Sequence, residues 1–174
     1  MSYPVNLDIE GKICVVLGGG QVALRKINGL LVAGGKVIVI APDICDELHQ
    51  LVSDNQIEWR KQIYIEGCIP EGLILIAATN DKEVNKKATI EATNKHMLVN
   101  NVNIRSKNPN SSFLIPNSAL FTAPSVIRRD NLMITISTNG LSPAISKSIR
   151  KHLEQRFDDI FSDFVEQLKE SEEK

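Results

Sequence analysis

Short apolar runs alternate with amphipathic segments over the first hundred residues of the chain. Runs that are apolar throughout are typical of strands buried on both faces of a parallel sheet. Five segments predict such strands, at residues 12–18, 36–41, 57–59, 73–79 and 97–102. Because the connections between them are short and helical, they favour a doubly wound sheet.

Three amphipathic helices are predicted between these strands. The first follows residue 20, keeps its apolar residues on one face and ends at the glycine pair 34–35. The second begins at Asp43, and the third is capped by Asn80 or Asp81. Each helix lies between two predicted strands, as the crossovers of a parallel sheet require.

The pattern changes after residue 102. Residues 103–118 are polar and contain two prolines, which predicts a long loop, and the alternation at 119–123 and 132–138 predicts antiparallel strands. Serine followed by proline at 142–143 predicts the start of a helix. The predicted fold is thus α/β: a Rossmann-like doubly wound parallel sheet, a small antiparallel region and C-terminal helices. We place these three parts at residues 1–112, 113–141 and 142–174.

Composition narrows the class of protein. Hydrophobic residues make up 43% of the 174 residues and charged residues 24%, as in a soluble globular protein. No apolar run approaches the ~20 residues of a membrane span, and the N-terminal residues do not resemble a secretory signal. Three cysteines without metal-ligand spacing predict reduced thiols. We expect a cytoplasmic protein and exclude a membrane channel, a disulfide scaffold, a zinc ribbon and a disordered tail.

The net charge of −1 conceals an uneven distribution. From Glu154 to the C-terminus there are eight acidic and three basic residues, whereas the preceding part has 17 basic and 13 acidic residues. This mild positive charge is far below that of a nucleic-acid-binding surface. It favours a small polyanionic ligand and gives no reason to expect nucleic acid or a membrane as a partner.

The strongest local motif is G-x-G-x-x-A, formed by Gly18, Gly20 and Ala23. It follows a buried strand and opens a helix, which is the setting of a dinucleotide-binding turn. Gly18 would allow the tight turn, Gly20 would let a pyrophosphate approach the backbone, and the N–H groups of the helix would face the phosphates. The alternative is that these glycines only form a tight connection between strand and helix.

Cofactor choice depends on the end of the second strand, where an acid commonly binds the ribose hydroxyls. Asp43 is the candidate, about two residues later than usual. It could equally be the N-cap of the next helix. Since no arginine follows this strand to accept a 2′-phosphate, the sequence favours NAD over NADP.

Several strings together resemble the precorrin-2 dehydrogenase family, which includes the N-terminal part of siroheme synthase. They occur in the family's order and near its spacing over nearly the whole chain. The strings are GGGQVALRK at 18–26, AATND at 77–81, PSVIRR at 124–129, LMITIST at 132–138 and GLSP at 140–143.

This resemblance implies an NAD-binding domain, a dimerisation region within residues 113–141, and an intertwined homodimer. It also implies oxidation of the tetrapyrrole precorrin-2 to sirohydrochlorin with NAD, on the way to siroheme or cobalamin, and in some members metal insertion. The family's cofactor-binding positions correspond to Gly18, Gly20, Gln21, Val22, Pro42, Asp43 and Thr79.

Precorrin-2 carries eight carboxylates, so its site needs several cations. We expect two or three of the basic residues in the second half to bind them, with Arg128 and Arg129 first. The alternative for each is a solvated surface charge. The candidates are Arg105, Lys107, Arg128, Arg129, Lys147 and Arg150, of which the last two can share a helix face.

The chain departs from the family where a general-base aspartate is typical, because Asn103 occupies that position. Asparagine cannot accept a proton at neutral pH. Dehydrogenation then proceeds by positioning alone, or Asp130 supplies the base, or catalysis is lost. We predict a retained NAD-dependent dehydrogenase with weak chelatase activity at most and no bound metal. The alternatives are an NAD-binding sensor or scaffold, and a monofunctional chelatase.

Overall fold

The computed structural model describes four segments of the chain, which belong to two compact units. The described segments are residues 3–103, 120–129, 132–138 and 142–156. Residues up to 122 form the first unit, and the described residues from 123 onward belong to the second. The predicted boundary at residue 112 lies outside the described residues and stays a prediction.

A five-stranded parallel sheet forms the centre of the first unit, as predicted. Its strands follow the order β3-β2-β1-β4-β5, and every neighbouring pair is parallel. Strand order therefore reverses between β1 and β4, which creates a crevice at the carboxyl ends of these two strands. The strands are β1 (Ile13–Leu17), β2 (Lys36–Ala41), β3 (Ile57–Lys61), β4 (Ile74–Ala77) and β5 (Leu98–Asn101).

Helices cover both faces of the sheet. They are α1 (Gln21–Val32), α2 (Asp46–Ser53) and α3 (Lys82–Asn94). The predicted cap of α3 is confirmed, because the Asp81 carboxylate accepts hydrogen bonds from the N–H groups of Glu83 and Val84 at 2.8 and 3.2 Å. In the described residues no helix has the length and apolar character needed to cross a membrane.

The predicted start of α2 at Asp43 is wrong. The helix begins at Asp46, with Cys45 as its N-cap residue in an extended conformation. The Cys45 N–H donates to the Gly19 carbonyl at 2.9 Å. This hydrogen bond keeps the residues between β2 and α2 extended beside the glycine turn, so the helix begins only after Cys45. Asp43 is therefore not a cap.

The two faces of the sheet pack into separate cores. Cys14 and Val16 point to the face that carries α1 and α2, while Val15 and Leu17 point to the face that carries α3. Cys14 is fully buried, and its burial raises the pKa of the thiol to about 11. The thiol is therefore part of the core and is poorly suited to act as a nucleophile.

In the second unit, a two-stranded antiparallel sheet precedes a helix. Strand β6 (Ser125–Arg129) pairs with β7 (Leu132–Ile136), and residues 143–156 form helix α4. The predicted cap is confirmed, since the Ile145 N–H lies 3.3 Å from the Ser142 hydroxyl oxygen.

The predicted antiparallel strand at 119–123 is wrong. Leu120 instead forms an isolated parallel bridge with Val99, and the Phe121 N–H donates to the Val99 carbonyl at 2.9 Å. The alternation of these residues indicated an extended backbone but could not identify its partner, which is β5 rather than β7.

A buried carboxylate anchors the connection between β3 and β4, residues 62–72, here called the 62–72 loop. Glu91 of α3 is 8% exposed. It accepts hydrogen bonds from the Tyr64 hydroxyl at 2.9 Å, the Gly67 and Ile69 N–H groups at 3.0 and 3.1 Å, and the Lys95 ammonium at 3.0 Å. Burial alone would raise the pKa of Glu91, but these hydrogen bonds outweigh it and hold the pKa below its ordinary value.

Replacing Glu91 with Gln should lower the free energy of unfolding at pH 7 by about 2–3 kcal/mol, because charge-assisted hydrogen bonds are weakened. A lowered folded-state pKa means that the stabilisation is complete above the unfolded-state pKa and is lost as pH falls through the folded value. Thermal unfolding should therefore show a gap between wild type and Glu91→Gln that closes below about pH 4.

The control for this experiment is Glu66→Gln, since Glu66 is an exposed carboxylate of the same loop. It should unfold like the wild type at every pH. A gap that widens on acidification would contradict the assignment of Glu91 as a stabilising anion.

Candidate functional site

A pocket of about 660 Å³ lies at the carboxyl ends of the five strands. Its walls come from the segments that follow each strand, so it crosses the whole edge of the sheet. The lining comprises residues 17–22, 40–43, 63–64, 78–81 and 102–103, together with Val84. Such a crevice at a reversal of strand order is where open α/β sheets bind ligands.

The glycine turn between β1 and α1 forms the middle of this pocket. Gly18 has a φ of +117°, and a Cβ atom there would lie 2.6 Å from the Ala78 carbonyl oxygen. A Cβ atom at Gly19 would overlap the carbonyl oxygen of Asp43. These two glycines are therefore required by the close approach of neighbouring loops.

Gly20 differs from its two neighbours. Its φ is −92°, and a Cβ atom there would meet no atom within 4 Å. The tight connection therefore does not itself require glycine at this position. Gly20 lines the pocket, where a pyrophosphate has to approach the backbone, so a residue without a side chain at this position fits a dinucleotide.

The N-terminus of α1 supplies hydrogen-bond donors to the pocket. Its N-cap residue is Gly20, which has no side chain to accept a hydrogen bond from the first N–H groups of the helix. The first turn contains no acidic residue. The first N–H groups of a helix lack internal partners and carry partial positive charge, which favours a phosphate. The Gln21 amide donates to Glu47 of α2 at 3.1 Å, and Gln21 lines the pocket at the start of this helix.

Pro42 and Asp43 line the pocket at the end of β2. Asp43 is exposed. Because α2 begins at Asp46 with Cys45 as its N-cap residue, the Asp43 carboxylate does not cap this helix. Its main chain packs on Gly19, which fixes the carboxylate beside the glycine turn. The acid that binds ribose hydroxyls in dinucleotide-binding domains usually lies about two residues earlier, at the end of the strand, and Asp43 is the acid nearest to that position.

Thr79 is positioned by a buried asparagine that sequence reasoning missed. The side-chain oxygen of Asn85 accepts from the Thr79 N–H at 3.1 Å and from its hydroxyl at 2.8 Å, and the Asn85 amide donates to the Thr79 carbonyl at 2.9 Å. Asn85 is fully buried. A polar residue on the buried face of α3 was the available signal.

Asn103 lines the end of the pocket that follows β5. Its side-chain amide nitrogen is buried and has no hydrogen-bond partner among the described residues. Its neighbours differ, because the amide of Asn100 donates to the Phe121 carbonyl at 2.7 Å and that of Asn101 to the Thr89 hydroxyl at 3.0 Å. An unpaired buried donor carries a free-energy cost unless a ligand supplies the acceptor.

The predicted site residues fall into three groups. The seven predicted cofactor-binding residues and Asn103 all line this pocket. Arg105, Lys107 and Asp130 lie outside the described residues. The remaining four belong to the second unit: Arg128, Arg129, Lys147 and Arg150.

The cations of the second unit differ in their surroundings. Arg150 is paired with Glu154 at 2.5 Å, whereas Arg128 and Lys147 are exposed. The Arg129 guanidinium donates to the Arg128 carbonyl at 3.0 Å. Among the described segments, no group of three or more His, Cys, Asp or Glu residues could hold a metal ion.

Comparisons with known proteins agree with this geometry. A family model described as "Putative NAD(P)-binding" matches residues 5–117, and one described as "Sirohaem biosynthesis protein central" matches residues 129–156. The structure is similar to that of "SirC, precorrin-2 dehydrogenase", with a TM-score of 0.76 and 28% identity, over 97% of this chain and 78% of that one.

Curated relatives include several siroheme synthases. The siroheme synthase of Ruthia magnifica is 32% identical over 95% of this chain and 33% of its own length. Siroheme synthase 1 of Yersinia enterocolitica is 34% identical over 88% of this chain and 30% of its own length. The chain thus spans about a third of the length of these relatives. The resemblance found in the sequence is confirmed, and the chain belongs to the NAD(P)-binding family whose model matches residues 5–117.

Proposed function

We propose that this chain is an NAD-dependent dehydrogenase that oxidises precorrin-2 to sirohydrochlorin in tetrapyrrole biosynthesis, and that it acts in the cytoplasm. The observation that carries the proposal is the pocket across the sheet edge, with an open glycine turn at its middle and an unpaired amide at one end. Similarity to a precorrin-2 dehydrogenase over 97% of the chain supports the substrate class.

The cofactor NAD supplies a hydride acceptor when bound. The N–H groups at the start of α1 bind its pyrophosphate, and Gly20 leaves the space that this approach needs. Asp43 accepts hydrogen bonds from the ribose hydroxyls. Its negative charge opposes a 2′-phosphate, so NAD is preferred to NADP. Thr79 fixes the wall after β4, held by Asn85.

Asn103 orients a reacting group by donating a hydrogen bond and does not take up a proton. Its amide nitrogen is buried and has no acceptor in the part of the chain that the structure describes, so we assign it to a carbonyl or carboxylate oxygen of a bound molecule. The proton released when precorrin-2 gives up its hydride passes to water or to a substrate carboxylate. Asp130 is the second candidate for this base.

The substrate's carboxylates are bound by cations of the second unit. Arg128 and Lys147 are exposed, while Arg150 is already paired with Glu154. We therefore rank Arg128 and Lys147 above Arg150 as substrate-binding residues, and Arg129 stays a candidate by its place in the sequence. Arg105 remains a further candidate by its place in the sequence.

The second candidate function is that of an NAD-binding sensor or scaffold which has lost catalysis. The feature in its favour is Asn103 in place of the family's aspartate. Proximity and orientation of bound reactants can supply much of a rate enhancement without a general base, which favours the dehydrogenase.

The decisive experiment incubates the chain with precorrin-2 and NAD without oxygen. We expect NADH and sirohydrochlorin to appear in equal amounts, and their absorbance spectra measure both products.

Gly20→Val is the matched control, since an added side chain meets open space in the protein and should only block the pyrophosphate. It should unfold like the wild type and bind NAD at least about tenfold more weakly. NAD binding by the wild type without any spectral change would favour the sensor.

Asn103→Asp separates dehydrogenation from metal insertion. A carboxylate can accept protons from the macrocycle and bind a metal ion, so we expect sirohydrochlorin chelation with Fe²⁺ or Co²⁺ to increase. The rate of NADH formation should change by less than about threefold, because positioning dominates this step. A large gain in NADH formation would instead mean that a missing base limits the natural chain.

The second unit supports a homodimer. A two-stranded sheet is marginally stable alone, and Met133 of β7 with Ile145 and Ile149 of α4 are 36%, 49% and 41% exposed. A second copy of the chain would cover these side chains.

Light scattering should give twice the chain mass of 19.3 kDa. Ile145→Asp combined with Ile149→Asp should shift the protein to monomers, and a wild-type monomer at every concentration would contradict the proposal.

A further inference from the structure

A buried polar network lies between α3 and β5. Its side chains belong to Asn85, Thr89 and Asn101, which are 0%, 0% and 6% exposed. The Asn101 amide donates to the Thr89 hydroxyl at 3.0 Å and to the Asn85 carbonyl at 3.2 Å, and the Thr89 hydroxyl donates to the same carbonyl at 2.7 Å. Buried hydrogen bonds that support one another hold a side chain in one orientation. The orientation of Asn101 is therefore set by α3.

This orientation directs the side-chain oxygen of Asn101 to the turn that follows β5. The oxygen accepts a hydrogen bond from the Asn103 N–H at 2.9 Å, which is the bond to the second following residue that asparagine forms in turns. The preceding N–H, that of Val102, donates to the Ala77 carbonyl at 3.1 Å. Two successive main-chain N–H groups are thus bonded, so the backbone that carries the Asn103 side chain is fixed.

The fixed backbone accounts for the state of the Asn103 amide. This amide nitrogen is buried and has no acceptor in the segments that the structure describes, which costs free energy. A mobile turn could carry the amide into water and relieve this cost, whereas a turn bonded to Asn101 is held against the sheet. A donor kept out of water at the place where an acceptor will bind is preorganised, and it needs no rearrangement during the reaction.

A second asparagine of β5 offers a comparison within the same strand. Asn100 is 7% exposed, and its side chain points to the opposite face of the sheet because successive side chains of a strand alternate. Its amide donates to the Phe121 carbonyl at 2.7 Å. The two asparagines share their strand and their burial, but in the described residues only Asn101 is hydrogen-bonded to Asn103.

We propose that Asn101 is a positioning residue, which holds the Asn103 amide in the pocket wall where an oxygen of the bound tetrapyrrole accepts from it. This rests on the proposed dehydrogenase function and deepens it. Asparagine and threonine side chains do not ionise, so the effect of the network on turnover is independent of pH near neutrality. Thr79 is held by the side chain of Asn85, whereas Asn101 contacts the main chain of Asn85. Loss of the Asn101 amide should therefore leave the wall at Thr79 in place.

Amide hydrogen exchange, measured by NMR, tests the positioning without any turnover. Asn101→Val should speed exchange of the Asn103 N–H at least about tenfold, because its acceptor is removed. Asn100→Val is the matched control, since it also removes a buried asparagine of β5 but should leave exchange of this amide as in the wild type. Thr89→Val removes one of the two bonds that orient Asn101, and it should speed exchange by a smaller factor. This nearly isosteric variant keeps the test decisive where Asn101→Val does not fold.

The effect on the reaction is measured as kcat for NADH formation and as the dissociation constant of NAD. Asn101→Val should lower kcat roughly 10- to 100-fold, because a small displacement of a positioned group has a large effect on rate. The affinity for NAD should change less than about twofold, and Asn100→Val should keep kcat within about threefold. Added to Asn103→Ala, Asn101→Val should cause no further loss of kcat, because a positioning residue acts only through the group that it holds.

Three results would overturn the inference alone. The first is unchanged exchange of the Asn103 N–H in Asn101→Val, and the second is an equal effect of Asn101→Val and Asn100→Val on kcat. The third is a loss of kcat by Asn101→Val that is as large in the Asn103→Ala protein as in the wild type, since Asn101 would then act independently of Asn103. A wild type that forms no NADH from precorrin-2 and NAD would overturn the proposed function together with this inference.

Discussion

The pocket depends on one close approach, that of the glycine turn to the loops on either side of it. Gly18 lies against the carbonyl of Ala78, and Gly19 lies against the carbonyl of Asp43, in both cases with no room for a Cβ atom. These contacts join the ends of β1, β2 and β4 and thereby set where Asp43 and Thr79 stand. A side chain at either glycine would push apart the two loops that carry them, so the same constraint shapes the fold and the binding site.

Much of the first unit could be predicted from the sequence because its signals are local. Continuous apolar runs identified the strands, and Asp81 had the chemistry of a helix cap, which its two hydrogen bonds confirm. The two errors came from contacts between segments distant in sequence. The start of α2 is delayed by the bond from Cys45 to Gly19, and Leu120 and Phe121 pair with Val99 of β5. Neither partner is visible in a local pattern.

The predictions for the site divide in the same way, into residues with a local sequence signal and residues without one. The glycine turn, Asp43 and Thr79 were found because motifs place them at the ends of strands. Asn85 was missed, since an asparagine in a helix acquires its role only from what it faces, here Thr79. For Asn103 the sequence showed only the loss of a carboxylate. The structure adds that its amide is a buried donor without an acceptor in the described segments, a group that an aspartate could not provide.

Charge separates the two recognition tasks of the proposed enzyme. The lining of the pocket in the described residues contains no lysine or arginine, so the phosphates of a dinucleotide are met by helix N–H groups and not by formal charges. An octacarboxylate cannot be bound by such a lining, and Asp43 would repel it. The described residues of the second unit hold six lysines and arginines against one acid, Glu154. Because cofactor and substrate recognition draw on different units, a change in the cations of the second unit should alter substrate binding while leaving the affinity for NAD intact.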